Sequence, residues 1–225
     1  MYSKILITYR YILCIPKSLY VNLRLFKFTD AIKLPIIVSH KTRLISLEGK
    51  VKLDKVKTAR IKIGFGETPT TDFKYNRPIL NLTGELITFG KSRFGIGPKL
   101  HIHGSVKLGD NFNMTGNSTI VCNKEIVFST HVLISWDVLI MDTDQHHIYN
   151  NKGETINDDK GIYIDENVWI CSGSTIIKGT KLSANTVIGA NSLVSGYHEE
   201  SNVIIAGNPA RKIKKDITLA EKCIP

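Results

Sequence analysis

Ile96, Ile102, Leu108, Met114, Ile120, Ile126, Val132 and Val138 stand six residues apart. After a break, Ile164, Ile170, Ile176, Leu182, Ile188 and Val194 resume the step. All fourteen are aliphatic. A helix face would repeat every 3.6 residues and a half-buried strand every two, so neither produces this spacing. Six residues suit a short strand plus a corner, with one side chain per unit pointing to a central axis. The fourth residue of each unit supports corners: Asn111, Asn117, Asn123, Asn167, Gly173, Gly179, Asn185 and Asn191. Asn and Gly tolerate the positive φ of a sharp turn. In the later units the fifth residue is small (Ser174, Thr180, Thr186, Ser192), which lets the walls approach. Three hexads then close one triangular coil, and stacked coils pair into parallel sheets around an aliphatic core. The expected fold is all-β, with regular hexads over 96–143 and 164–199.

Outward from the repeat, residues 46–95 read as earlier, irregular coils, carried by Gly49-Lys50-Val51-Lys52-Leu53 and Leu82-Thr83-Gly84-Glu85-Leu86-Ile87. Together 46–210 form the β-helix domain. Residues 66–78 are turn-rich. Residues 1–45 are a basic, partly helical extension, with Pro35 ending any helix there. Beyond Ala206-Gly207-Asn208-Pro209-Ala210 the chain leaves the coil, and 211–225 is a basic tail expected to include a short helix.

The charge is unevenly spread. The chain of 225 residues carries +10 overall, and its first sixty hold thirteen Lys/Arg against Asp30, Glu48 and Asp54. The remainder is balanced. A nucleic-acid binder would spread cations over a docking face with aromatic platforms or a recognition helix, so no nucleic-acid partner is expected. Basic residues alternating with apolar ones, as in Leu23-Arg24-Leu25-Phe26-Lys27-Phe28, fit two arrangements: a helix packed on the domain, or a segment resting on an anionic membrane. The run Ile5 to Ile15 is broken by Arg10 and is too short to span a bilayer. No small-residue cleavage site follows it, so a cytoplasmic protein is expected, with possible placement at the inner membrane surface. Cys14, Cys122, Cys171 and Cys223 form no CxxC pair and read as free thiols.

Residues 144–163 break the repeat with Asp144-Gln145-His146-His147-Ile148-Tyr149. A β-helix tolerates an extruded loop because the strands above and below still pair. Long loops in compact domains are commonly functional. Two solvated histidines in an accidental insertion are the plain alternative.

The hexads, this loop and Asn167-Val168-Trp169-Ile170-Cys171 together resemble the hexapeptide-repeat acyltransferases, in particular galactoside-, maltose- and capsule-type O-acetyltransferases. The resemblance implies a left-handed parallel β-helix and a homotrimer with active sites between neighbouring subunits. It implies acetyl-CoA as co-substrate and a carbohydrate acceptor. In that family a His-Pro-Ile/Val element lies about two dozen residues before Asn-Val-Trp-Ile-Gly. Here His146 matches the catalytic His, His147 stands where Pro is usual, and Cys171 replaces Gly. The family's CoA-binding positions fall on Trp169, Ser172, Ala190 and Asn191 of Gly189-Ala190-Asn191-Ser192, then Ser195, Arg211 and Lys214. The family's common Thr-Lys reads Ser195-Gly196 here. Arg and Lys suit the phosphates of CoA.

A sugar hydroxyl becomes a competent nucleophile when its proton is removed as it attacks. A free imidazole, with a pKa near ~6.5, can accept that proton. Asp142 and Asp144 lie four and two residues before His146, and Asp144 is the first choice to orient the ring. N-acetylation of an aminosugar uses the same base. A zinc hydratase on this scaffold needs imidazoles at spacings that His101, His103, His131, His146, His147 and His198 do not offer, so no metal is expected. A catalytically silent scaffold is the remaining alternative.

Overall fold

The computed structural model describes residues 2–66 and 71–219. Two helices, α1 (Tyr2–Leu25) and α2 (Phe28–Ala31), precede a stack of three-sided coils. The first coil is β1 (Ile36–Val38), β2 (Arg43–Leu47) and β3 (Lys50–Leu53); the second is β4 (Ile61–Ile63), β5 (Ile79–Leu82) and β6 (Glu85–Thr88). The third is β7 (Ser92–Ile96), β8 (Lys99–Ile102) and β9 (Ser105–Leu108); the fourth is β10 (Phe112–Gly116), β11 (Thr119–Cys122) and β12 (Glu125–Phe128). The fifth is β13 (Leu133–Ile134), β14 (Leu139–Met141) and β15 (Ile162–Ile164), with the extruded loop between its last two strands. The sixth is β16 (Trp169–Ile170), β17 (Thr175–Ile177) and β18 (Lys181–Leu182); the seventh is β19 (Val187–Ile188), β20 (Leu193–Val194) and β21 (Tyr197–His198). The chain ends on β22 (Ile204–Gly207) and β23 (Ala210–Lys214).

Every third strand pairs in parallel. Sheet A runs from β1 through β4, β7, β10, β13, β16 and β19 to β22, sheet B from β2 to β20 and sheet C from β3 to β21. The architecture is a left-handed parallel β-helix. Each coil buries its inward side chains against those above and below, so one continuous core runs the length of the prism.

All fourteen aliphatic positions of the hexad series are buried. The coil period, however, is eighteen only in part of the chain. Leu100 pairs with Ile120 and Ile120 with Ile140, twenty residues apart; Trp169 pairs with Val187 at eighteen. The extra pair sits at the corner from sheet C to sheet A, as in Gly109–Asn111. That corner is wide enough for rings: Phe94 and Phe112 pack tilted with centroids 5.3 Å apart, and Phe112 and Phe128 likewise at 4.9 Å. The step of six survives the longer period because these coils turn two residues of a strand inward. Val106 and Leu108 are both fully buried, so a slip of two positions lands on another core site.

The corner residues behave as their types dictate. Asn111, Asn117, Asn167, Asn185 and Asn191 have φ of 51–57°, and Gly173 and Gly179 are at +70° and +78°. Asn123 departs from the series and keeps a negative φ. Its corner is built instead by the Asp142 carboxylate, described below.

Two boundaries differ from the sequence reading. The coils begin at Ile36, within the stretch 1–45 read as an extension, because Pro35 opens the first strand. The basic tail begins as a strand, not a helix: β23 turns back antiparallel on β22, pairing Gly207 with Ala210 and Ala206 with Arg211. This covers part of the last strand's open edge. No helix occurs among the tail's described residues; 220–225, with Cys223, lie outside them, as do 67–70 of the turn-rich loop.

Candidate functional site

The loop leaves sheet B after Met141 and returns to sheet C at Ile162, so it projects from the B–C edge of the prism. Its root is fixed by Asp142, which is fully buried. The carboxylate accepts hydrogen bonds from the backbone N–H groups of Asn123 (2.7 Å), Lys124 (2.9 Å) and Glu125 (2.8 Å) in the coil above. The Cys122 thiol also donates to it at 3.5 Å, and burial, reinforced by that carboxylate, pushes the thiol pKa up. Asp142 thus ties two coils together where the chain is about to leave them.

Beyond this root the loop is a small hairpin arm. Tyr149 bridges Thr155 antiparallel, Ile156 N–H donates to Ile148 C=O at 2.9 Å, and Gly153 (φ +79°) serves the turn. Asn157 clips the arm to the catalytic candidates. Its Nδ2 donates to the Asp144 carboxylate and to the His146 carbonyl, both at 2.8 Å, and its Oδ1 accepts from Ile148 N–H at 2.7 Å. Lys178, from the B–C corner one coil below, donates to Asp144 Oδ2 at 2.5 Å and to the Asn157 carbonyl at 2.6 Å. The Lys178 ammonium, helped by Asn157, holds the Asp144 carboxyl below its ordinary value.

His146 and His147 are both exposed on this arm. The backbone is pinned at His146 and at Ile148, so both imidazoles stand on a fixed base while their rings stay open to solvent. His147 packs its ring 6.2 Å from that of Tyr149. Asp144 does not orient either ring in this structure. Its hydrogen bonds go to Lys178 and Asn157 instead, both through Oδ2.

The cofactor candidates divide between two edges. Trp169 stands on the outer face of sheet A, half-buried, its Nε1–H donating to Ser135 Oγ at 3.0 Å. Ser172, Ala190 and Asn191 lie at the A–B corner on successive coils, and the Ser172 carbonyl accepts from Asn191 N–H at 3.0 Å. Gly173 is required here: a methyl group on it would lie 2.1 Å from Asn191 Oδ1. Arg211 and Lys214 are exposed on β23, at the end of sheet A, and neither has an ion-pair partner among the described residues; Lys212 between them is held by Glu200. These groups line one side of the prism. Ser195 does not join them. It sits at the B–C corner, on the edge of the His loop, and its carbonyl accepts from His198 Nε2 at 3.1 Å.

The sequence reading missed Asn157 and Lys178. Both are far from His146 along the chain, and only the closing of the arm and the stacking of coils bring them to Asp144.

No family model and no curated protein matches the chain. Solved structures do. The polySia specific acetyltransferase NeuO is 21% identical over 83% of this chain and 75% of its own, with a TM-score of 0.58. A hexapeptide-repeat containing acetyltransferase of Vibrio cholerae O1 biovar eltor, in complex with acetyl coenzyme A, is 24% identical over 58% of this chain and 70% of its own, with a TM-score of 0.50. The chain has the fold of the hexapeptide-repeat acetyltransferases.

Proposed function

We propose that this protein is an acetyl-CoA-dependent O-acetyltransferase acting on a sugar hydroxyl, in the cytoplasmic synthesis of a capsule, O-antigen or other surface glycan. One observation carries the reading: an arm clipped by Asn157 and Lys178 presents two open imidazoles at one edge of a fold shared with acetyltransferases. Acetyl-CoA, when bound, supplies the thioester carbonyl that the acceptor oxygen attacks. The residues expected to hold it suit its parts. Ser172, Ala190 and Asn191 share the A–B ridge, and Arg211 and Lys214, exposed and without an ion pair among the described residues, offer cations to its phosphates.

His146 removes the acceptor hydroxyl's proton as the new C–O bond forms. It returns that proton to the sulfur as the C–S bond breaks, so the chain ends unchanged. The same base serves an aminosugar nitrogen, and the acceptor decides between O- and N-transfer. The base and the CoA ridge lie on opposite edges of sheet B, so a single chain does not bring them together. A homotrimer, in which one subunit's arm meets the next subunit's ridge, does.

The test is a thiol-release assay with acetyl-CoA and a panel of sugars and aminosugars. His146→Ala should lose about 10²–10⁴-fold in rate while CoA binding by calorimetry is retained. Full activity in His146→Ala with none in His147→Ala would move the base to the neighbour. Absence of transfer to every acceptor by the intact protein would favour a silent scaffold.

A further inference from the structure

Helix α1 is built inside out. Its buried face carries Cys14, Ser18, Val21 and Asn22, each at 1% exposure or less, and two of these are polar. They lie against β1, whose outer edge is covered by no strand among the described residues. Ser18 Oγ accepts from Val38 N–H at 3.0 Å and donates to Val38 C=O at 3.3 Å. Asn22 Oδ1 accepts from Ile36 N–H at 3.0 Å, and its Nδ2 donates to Ile36 C=O at 2.6 Å. The two side chains finish the ladder of the first strand, which a helix backbone cannot do.

The opposite face is apolar. At 100° per residue, Ile15, Leu19, Ile12, Leu23, Pro16, Tyr9, Tyr20 and Leu13 fill an uninterrupted arc of about 160°. Every one of them is exposed; Ile12 reaches 57%, Tyr9 56%, Tyr20 54% and Ile15 50%. Phe28 of α2, at 68%, and Ile32 just after it, at 55%, are exposed as well. Arg24, Lys17 and Arg10 follow in order along one flank. Lys17 is tied to the His40 and Thr42 carbonyls and Arg10 lies over the Phe73 ring, whereas Arg24 and Lys27 are exposed with no ion pair among the described residues. No acidic residue precedes Asp30.

We infer that α1 lies in the plane of an anionic lipid surface, its Tyr9–Leu23 arc in the acyl boundary and Arg24 and Lys27 at the headgroups. No helix among the described residues is long and apolar enough to cross a membrane, so the helix rests on the surface. Breadth and charge select lipid over a second copy of the chain. A helix-to-helix seam uses a narrow strip, and flanking cations without acidic partners would repel in a self-paired interface.

The test is co-sedimentation of the full chain with vesicles of phosphatidylglycerol and phosphatidylethanolamine, and with phosphatidylcholine alone. Binding should need the anionic lipid and fall as salt rises. The variant Ile12→Ser/Leu19→Ser/Leu23→Ser should bind at least tenfold more weakly while still unfolding as one cooperative unit, because none of these side chains belongs to the buried core. Arg24→Gln/Lys27→Gln should bind less and with a flatter salt dependence, which keeps the test informative if the triple variant misfolds. No binding to anionic vesicles would overturn the inference. So would a native particle whose mass drops by a whole multiple in the serine variant, since the arc would then be an interface between copies. Transfer to a soluble acceptor should be the same in both variants, so failure here is separable from failure of the proposed reaction.

Discussion

Lys178 and Asp144, thirty-four residues apart in sequence, meet at 2.5 Å beneath the extruded arm. Lys178 stands on a rigid coil corner and Asp144 on the first residue of the excursion, so this pair sets where the arm points. Asn157 closes the same junction from the other side. None of the three touches an imidazole ring; they act through the backbone of His146. Lys178→Met and Asn157→Ala should each lower kcat by about ten- to a hundredfold by misplacing the base, with KM for acetyl-CoA little changed. Steady-state kinetics on folded variants checks the split.

The same junction has a pH signature. The Asp144 carboxyl is held below its ordinary value by Lys178 and Asn157. Its stabilising effect is therefore complete above the unfolded value of 3.8 and is lost as pH falls through the lower folded value. Amide exchange of the arm, taken relative to the intrinsic rate at each pH, should stay constant down to that region and rise below it. In Lys178→Met the rise should begin at higher pH.

Asp142 answers to stability rather than to chemistry. Replacing it with Ala leaves the backbone N–H groups of Asn123, Lys124 and Glu125 without their acceptor, at about 1–3 kcal/mol for each that water cannot reach. Asp142→Asn keeps one acceptor oxygen and should cost less. Urea denaturation of the two variants against the parent gives the order, and a neutral Asp142→Ala would show that the corner opens to solvent. Phe112→Ala should cost about 3–5 kcal/mol, since it empties the middle of the packed rings in the wide coils.

His101 and His103 form a pair at the outer side of the third coil, their Nε2 atoms 2.7 Å apart. Asn81 Nδ2 lies 3.0 Å from His101 Nδ1, and Thr83 Oγ1 lies 2.6 Å from His103 Nδ1. Burial, then the neighbouring His103, lowers the His101 pKa from 6.5. The unfolded chain thus takes up its proton first, and stability falls as pH drops below 6.5 until the folded group also protonates. His101→Gln should flatten the melting-temperature curve as pH falls below 6.5.

The period of six was legible because the inward positions of a β-helix tolerate only apolar residues, whatever the loops do. The two extra residues per early coil were not, since Val106 and Leu108 are both core and hide the change of phase. Corner residues were readable where Asn or Gly took a positive φ, and misleading at Asn123, whose corner depends on a carboxylate nineteen positions later. Ser18 and Asn22 gave no sign of facing inward, because their partners are the open backbone edge of a strand and no side-chain pattern records that. The His loop could be located from the break in the repeat. Its internal hairpin and the Asn157 clip depend on contacts across the arm and on the coil below.

The placement of the two edges yields the sharpest test of the assembly. His146 stands on the B–C edge, while Ala190 is exposed on the A–B ridge, with the whole width of sheet B between them. If one subunit's arm serves the next subunit's ridge, two different inactive chains can repair each other. His146→Ala removes the base and leaves the ridge intact; Ala190→Trp crowds the ridge and leaves the base intact. Co-expression in equal amounts would give random trimers, in which a site works only when its arm comes from the Ala190→Trp chain and its ridge from the His146→Ala chain. Each condition holds half the time, so about a quarter of the parent activity should return in a closed three-fold assembly. Each variant alone should stay inactive, and particles isolated through two different affinity tags should carry the restored activity. No recovery in such mixed particles would mean that each chain completes its own site, and the separation of the two edges would then have to be bridged within one subunit.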